Sequence, residues 1–130
     1  IIRMPNAIRP WQHVLEPTFG YLILAQKQYS NLRFLNDSGW NFGPESKNFK
    51  KVFEIFTFFK KKLKIRHVIK KSKFKESKIL MLDNKKAKKI LGWKSKWNIK
   101  KTLEKILELE MANKKDIKNI MTNQIKDYLK

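Results

Sequence analysis

Pro5-Asn6-Ala7-Ile8-Arg9-Pro10-Trp11-Gln12-His13-Val14-Leu15-Glu16-Pro17 holds a turn, a strand and the start of a helix in one short stretch. Pro5-Asn6 pairs two common turn formers and separates two short extended runs, 1–3 and 8–14. Beyond them Leu15, Phe19, Leu22, Ile23 and Tyr29 recur at helical spacing and predict a helix over 15–29. Glu16 and Pro17 suit its first turn, where unpaired N–H groups favour an acid and a missing N–H costs nothing. A strand running into a helix opens an α/β arrangement.

Reading outward, the alternation continues. Residues 31–39 form a polar loop ending in Ser38-Gly39, and Trp40-Asn41-Phe42-Gly43-Pro44 reads as a short buried strand closed by a Gly-Pro break. Ser46 is placed to cap a second helix whose stripe is Phe49, Val52, Phe53, Phe56 and Phe59, and whose Lys60–Lys62 end suits the negative pole. The runs 65–69 and 79–82 read as strands. Asp83 opens a short helix through Ala87, Ile90 and Leu91 that stops at Gly92, a left-handed position. Trp93 and Trp97 flank a turn, and Asn98 caps a helix with the stripe Ile99, Leu103, Ile106, Leu107 and Met111. An amphipathic segment over 122–129 closes the chain. No repeat or low-complexity linker interrupts it, so residues 1–130 read as one α/β domain, a small sheet with four to five helices.

The composition limits what such a domain can do. Thirty-one Lys and Arg face eleven Asp and Glu for a formal charge of +20, yet only four of the cations are Arg. Specific nucleic-acid readers lean on the planar Arg fork, whereas Lys is a hydrated point charge. The densest run, Lys60 to Lys78, lacks the interleaved aromatics that stack bases, so a solvated surface is the preferred reading and a nucleic-acid or polyanion binder the alternative. No run of 18 apolar residues spans a membrane. The absence of Cys excludes disulfides and thiolate chemistry and fits a reducing cytoplasm.

Several chemistries are missing as well. The glycines, at 20, 39, 43 and 92, are too dispersed for the Gly-x-Gly-x-x-Gly turn that admits a dinucleotide pyrophosphate. A Tyr activated by a Lys four residues on is absent too: Tyr21 is followed there by Ala25 and Tyr29 by Arg33. His13 and His67 have no partner at metal-ligand spacing, so no metal is expected.

The opening stretch, continued by Gly20-Tyr21-Leu22 and Leu24-Ala25, resembles the C-terminal part of the CDP-glucose 4,6-dehydratase family, a branch of the extended short-chain dehydrogenases/reductases. Later blocks agree in order. Gly39-Trp40-Asn41-Phe42-Gly43-Pro44 is similar to the family's Gly-x-Trp-Asn-Phe-Gly-Pro, and Leu82-Asp83, Lys86-Ala87-Lys88, Leu91-Gly92-Trp93 and Trp97 to its Leu-Asp-x-x-Lys-Ala-x-x-x-Leu-Gly-Trp-x-x-x-Trp. Gln124-Ile125 and Tyr128 fit the family ending. Arg9-Pro10-Trp11 separates this branch from relatives with Arg-Asp-aromatic at that place.

The resemblance implies an enzyme family that uses bound NAD to convert CDP-glucose to CDP-4-keto-6-deoxyglucose for surface polysaccharides. It also implies that the Rossmann domain, with its NAD loop, catalytic Tyr and Lys, lies outside this chain, which lacks a Met at its start and binds no NAD alone. The expected partners are a CDP-sugar and that missing domain, in the same polypeptide or as a separate subunit. Arg9 is then the contact to the diphosphate, or a hairpin salt-bridge residue. Trp11 is assigned to the core, while Gln12 or His13 reaches the nucleotide. Asn41 bonds substrate or shapes a turn. Lys73 stands in a departure, Lys73-Phe74-Lys75-Glu76 against the family's His-Pro-His-Glu, and can meet a phosphate only as a point charge. An apolar face including Leu15, Phe19 and Ile23 is expected where the missing domain packs.

Overall fold

The computed structural model describes residues 1–31, 39–70 and 76–130, so most of the loop read at 31–39, and Lys73, lie outside the described residues. Strand β1 (Ile8–Pro10) is followed by helix α1 (Leu15–Ser30), strand β2 (Phe49–Lys51) and helix α2 (Val52–Leu63). A π-helical turn (Ala87–Leu91) and helices α3 (Ile99–Glu110) and α4 (Ile117–Leu129) complete it. This is a small α/β fold, as the alternation of the sequence predicts.

The sheet is smaller than its expected strands. β1 and β2 pair antiparallel in the register Ile8 to Lys51, Arg9 to Lys50 and Pro10 to Phe49. The run over 8–14 ends as a strand at Pro10, which has no N–H to extend a ladder, and the next link is made by a side chain, the Trp11 indole donating to the Lys50 carbonyl at 3.0 Å. The strands expected at 1–3, 65–69 and 79–82 shrink to single parallel bridges, Ile2 to Ile69 and Ile8 to Ile79. Val68, Ile69, Leu80 and Met81 remain exposed, so no packed layer rewards further pairing there.

The expected strand at 40–44 is buried at Phe42, Gly43 and Pro44 but is not a strand. Side-chain amides take the place of a ladder: Gln12 Nε2 donates to the Phe42 carbonyl at 2.7 Å and Asn84 Nδ2 to that of Gly43 at 2.8 Å. The second helix starts at Val52 rather than at Ser46, which belongs to a 3-10 turn (Ser46–Asn48), because Phe49–Lys51 is drawn onto β1. Its first N–H groups find acceptors outside the helix, Val52 on the Ala7 carbonyl and Phe53 on that of Pro5, both at 2.9 Å. The Glu54 carboxylate accepts from the Lys51 N–H at 3.0 Å.

Other signals hold as read. α1 lies one residue from its expected end, Gly92 ends the π-turn at φ 68°, and Asn98 Oδ1 caps α3 by accepting from the Lys101 N–H at 2.9 Å. The stripe of α3 is narrower than its spacing suggests, with Leu103 buried but Ile106 and Met111 exposed. Phe42, Ala87, Leu91 and Trp93 form the core, against which Phe19, Ile23, Leu24 and Trp40 pack. Gly20 lets α1 lie on this cluster, since a Cβ there would overlap the Phe42 ring.

A polar hub joins the two ends of the fold. Glu16, with no exposed surface, accepts from the backbone N–H groups of Lys96 (3.0 Å) and Trp97 (2.7 Å) and from the Tyr128 hydroxyl (2.7 Å). Its own carbonyl accepts from the Trp93 indole at 3.1 Å. Three aromatics of the later motifs thus converge on the second residue of α1. Burial first, and the adjacent Glu16 carboxylate next, push the Tyr128 hydroxyl far above its ordinary ionisation range.

One side is left apolar. Val14 and Leu22 from the α1 side and Met121, Ile125 and Leu129 of α4 are exposed, and two shallow clefts of about 90 and 180 Å³ meet at Leu15 and Ile125. Leu15 and Phe19 border this face as expected, whereas Ile23 turns into the core. No helix among the described residues is long and apolar enough to cross a membrane.

Candidate functional site

Arg9 sits on β1 with its guanidinium half-buried. Nη1 donates to the Ile8 carbonyl at 2.9 Å, and Nη2 stands 3.7 Å from Glu76 Oε2, an ion pair longer than a hydrogen bond. The two residues line a cleft of about 230 Å³ together with Arg3, Met4 and Val52. Of the five N–H donors of Arg9, one is committed to a hydrogen bond among the described residues.

Gln12 and His13 take different surroundings. Gln12 holds the 40–44 block through its Nε2, which leaves Oε1 buried without a partner among the described residues. That block presents Asn41 on the surface, one residue from the Phe42 carbonyl that Gln12 grips. His13 is buried with its ring 4.9 Å from that of Trp97, and its Nδ1 accepts from the Leu15 N–H at 3.3 Å. That contact assigns the proton to Nε2. Trp11 is half-buried, neither wholly core nor free. The structure therefore brings Gln12 and the Asn41 segment together and keeps Arg9 in a separate cleft.

Burial lowers the pKa of His13, with Lys105 adding to the effect and Glu16 opposing it. The unfolded chain takes up this proton first as pH falls below the ordinary 6.5. His13 thus contributes stability that is complete above that pH and declines below it. Thermal midpoints should fall between pH 7 and pH 5, and His13→Gln should flatten the slope; an unchanged slope would show that other groups govern it.

Sequence reasoning assigned Glu16 only to a helix start and missed the hub. The signal was available in the pairing of an acid at that position with Tyr128, an aromatic whose polar tip needs an acceptor when buried. Asn48 was missed as well: it is buried, donating to the Trp97 carbonyl at 3.2 Å and accepting from the Ile99 N–H at 3.0 Å. No group of three or more metal-ligating side chains occurs among the described residues.

No protein-family model matches the chain. The chain is 35% identical over 138 aligned residues to CDP-glucose 4,6-dehydratase of Salmonella typhimurium (strain LT2), an alignment covering 99% of this chain and 37% of that protein. It spans little more than a third of this relative. Over nearly its whole length, then, the chain is similar to part of a CDP-glucose 4,6-dehydratase, in keeping with the C-terminal part that the blocks at 5–17, 39–44 and 82–97 indicate.

Proposed function

We propose that this chain is the substrate-binding part of a CDP-glucose 4,6-dehydratase and that it is catalytically incomplete without the rest of such an enzyme. The observation that carries the reading is Arg9, a guanidinium fixed on a strand in a cleft, with one hydrogen bond and one long ion pair to Glu76 among the described residues. A sugar-nucleotide diphosphate is the matching acceptor, because its oxygens take parallel charge-assisted N–H bonds. Gln12 Oε1, a buried acceptor with no partner among the described residues, suits a hydroxyl or amino group of the nucleotide.

The residues present do not fit the pyrophosphate of NAD. Gly20 lies within α1 against Phe42, Gly43 packs on Leu82, Gly92 ends the π-turn, and Gly39 has no neighbour within 4 Å of an added Cβ among the described residues, so none forms a strand-to-helix phosphate turn there. No step through the cofactor is assigned to this chain. The remainder of the dehydratase covers the apolar face of α1 and α4, and the cytoplasm is the compartment this reading implies.

Calorimetric titration with CDP-glucose tests the first half, and mixing with the N-terminal portion of the Salmonella dehydratase tests the second. We expect CDP-glucose to bind and the 4-keto product to form only in the mixture. An absence of both would overturn the reading, and salt-sensitive DNA binding in their place would favour the polyanion alternative.

A further inference from the structure

We propose that the segment from Lys60 to Lys70 rests on the surface of an anionic phospholipid bilayer, its cations at the lipid phosphates and its aliphatic side chains in the headgroup layer. This contact is independent of the sugar-nucleotide reading and uses none of its residues. Lys60, Lys61, Lys62, Lys64, Arg66 and Lys70 follow closely on one another, and no acid occurs between Glu54 and Glu76. All six cations are exposed, and none forms an ion pair among the described residues. Interleaved with them, Ile65, Val68 and Ile69 are 39%, 56% and 53% exposed.

The fold holds this segment in place. Lys60–Lys62 lie in the last turn of α2, and the Lys64 N–H donates to the Lys60 carbonyl at 3.1 Å as the chain turns through Lys64, a left-handed residue at φ 51°. Beyond the turn the Val68 carbonyl accepts from the Ile2 N–H at 2.9 Å, and the Lys70 N–H donates to the Ile2 carbonyl at 3.0 Å. His67 lays its ring against those of Phe53 and Phe56, at centroid distances of 6.5 and 4.6 Å. Side chains alternate along an extended run, so Arg66 and Val68 face away from α2.

Charge decides what covers such a patch. A second copy would set like charges against one another, and a neutral apolar partner would strip water from the cations without replacing it. Anionic lipid supplies both halves, phosphates for the cations and an apolar layer beneath for Ile65, Val68 and Ile69. The Lys side chains suit the task, since their apolar stems lie along such a layer while the ammonium stays at its surface. A nucleic acid supplies the phosphates, but its bases call for aromatic platforms, and the exposed apolar residues among these cations are aliphatic.

The test is cosedimentation of the chain with vesicles of phosphatidylglycerol and phosphatidylcholine in equal parts, and with phosphatidylcholine alone, at physiological salt. Binding is expected to the first and not to the second. Circular dichroism verifies that each variant is folded. The triple variant Lys61→Gln, Lys62→Gln, Arg66→Gln should bind about a hundredfold more weakly, at about fivefold per cation. Lys114→Gln, Lys115→Gln, Lys118→Gln, an equal change of charge at exposed positions elsewhere, should lose far less. Ile65→Ser with Val68→Ser keeps every charge and should weaken vesicle binding about tenfold. Leu22→Gln with Ile125→Gln, on the apolar face of α1 and α4, should bind as the wild type does. Equal losses in the two triple variants would reduce the effect to overall charge. Indifference to the serine pair, or release from the vesicles by DNA at equal phosphate concentration, would leave only a polyanion contact, and a loss in the Leu22, Ile125 variant would move the contact to the other face. Any of these results overturns the proposal, as does a failure to bind the anionic vesicles.

Discussion

Glu16→Ala is expected to remove a large share of the chain's stability. The substitution leaves the Lys96 and Trp97 N–H groups and the Tyr128 hydroxyl without their acceptor in a site that water does not reach. Leaving buried donors without an acceptor costs about 1–3 kcal/mol each, a large share of the about 5–15 kcal/mol that holds a natural domain folded. Urea melts followed by tryptophan fluorescence provide the measurement, since Trp93 and Trp97 report on the hub directly. Tyr128→Phe dissects it: the ring keeps its edge contacts with Phe19 and Trp97, and only the hydrogen bond is lost, for about 1.5–3 kcal/mol. An alanine variant as stable as the wild type would show that water replaces the carboxylate and that the hub does not hold the fold.

The second large effect concerns association. The wild-type chain alone should self-associate and bind hydrophobic dyes through Val14, Leu22, Met121, Ile125 and Leu129, and the double variant Leu22→Glu, Ile125→Glu should be monodisperse. Two added acids bring the net charge down from +20, which weakens repulsion between copies. Improved behaviour would thus come from the lost apolar contact and not from charge. The same variant should fail to restore product formation with the N-terminal dehydratase portion, because the face it spoils is the one proposed to be covered. Light scattering and the mixing assay decide; a dye-negative, monomeric wild type would show that the face needs no cover.

Local chemistry was legible wherever one residue decides a backbone state. Gly92, Asn98 and the start of α1 were read from turn and cap preferences that depend on neighbours in sequence. Partners distant in sequence were not. Ser46 is a good cap by type, but pairing of Phe49–Lys51 with β1 moved the helix start to Val52, a tertiary preference overriding a local one. The block at 40–44 was recognised as buried but misread as a strand, because Gln12 and Asn84 satisfy it with side chains that no periodicity reveals. Of the candidate site, Arg9 stands in a cleft whose other cation, Arg3, carried no signal beyond its type, and Lys73 lies outside the described residues.

The bond between Glu16 and Tyr128 joins residues 112 positions apart. Closing so long a segment carries an entropy cost that grows with its length, so contacts of this kind form late, after local helices and the β1–β2 pair. The hub then acts on the lifetime of the folded state more than on the speed of reaching it. Loss of Glu16 should accelerate unfolding while leaving the folding rate nearly unchanged. In a chain with an uncovered apolar face, slow unfolding sets how long a molecule can wait for what covers it.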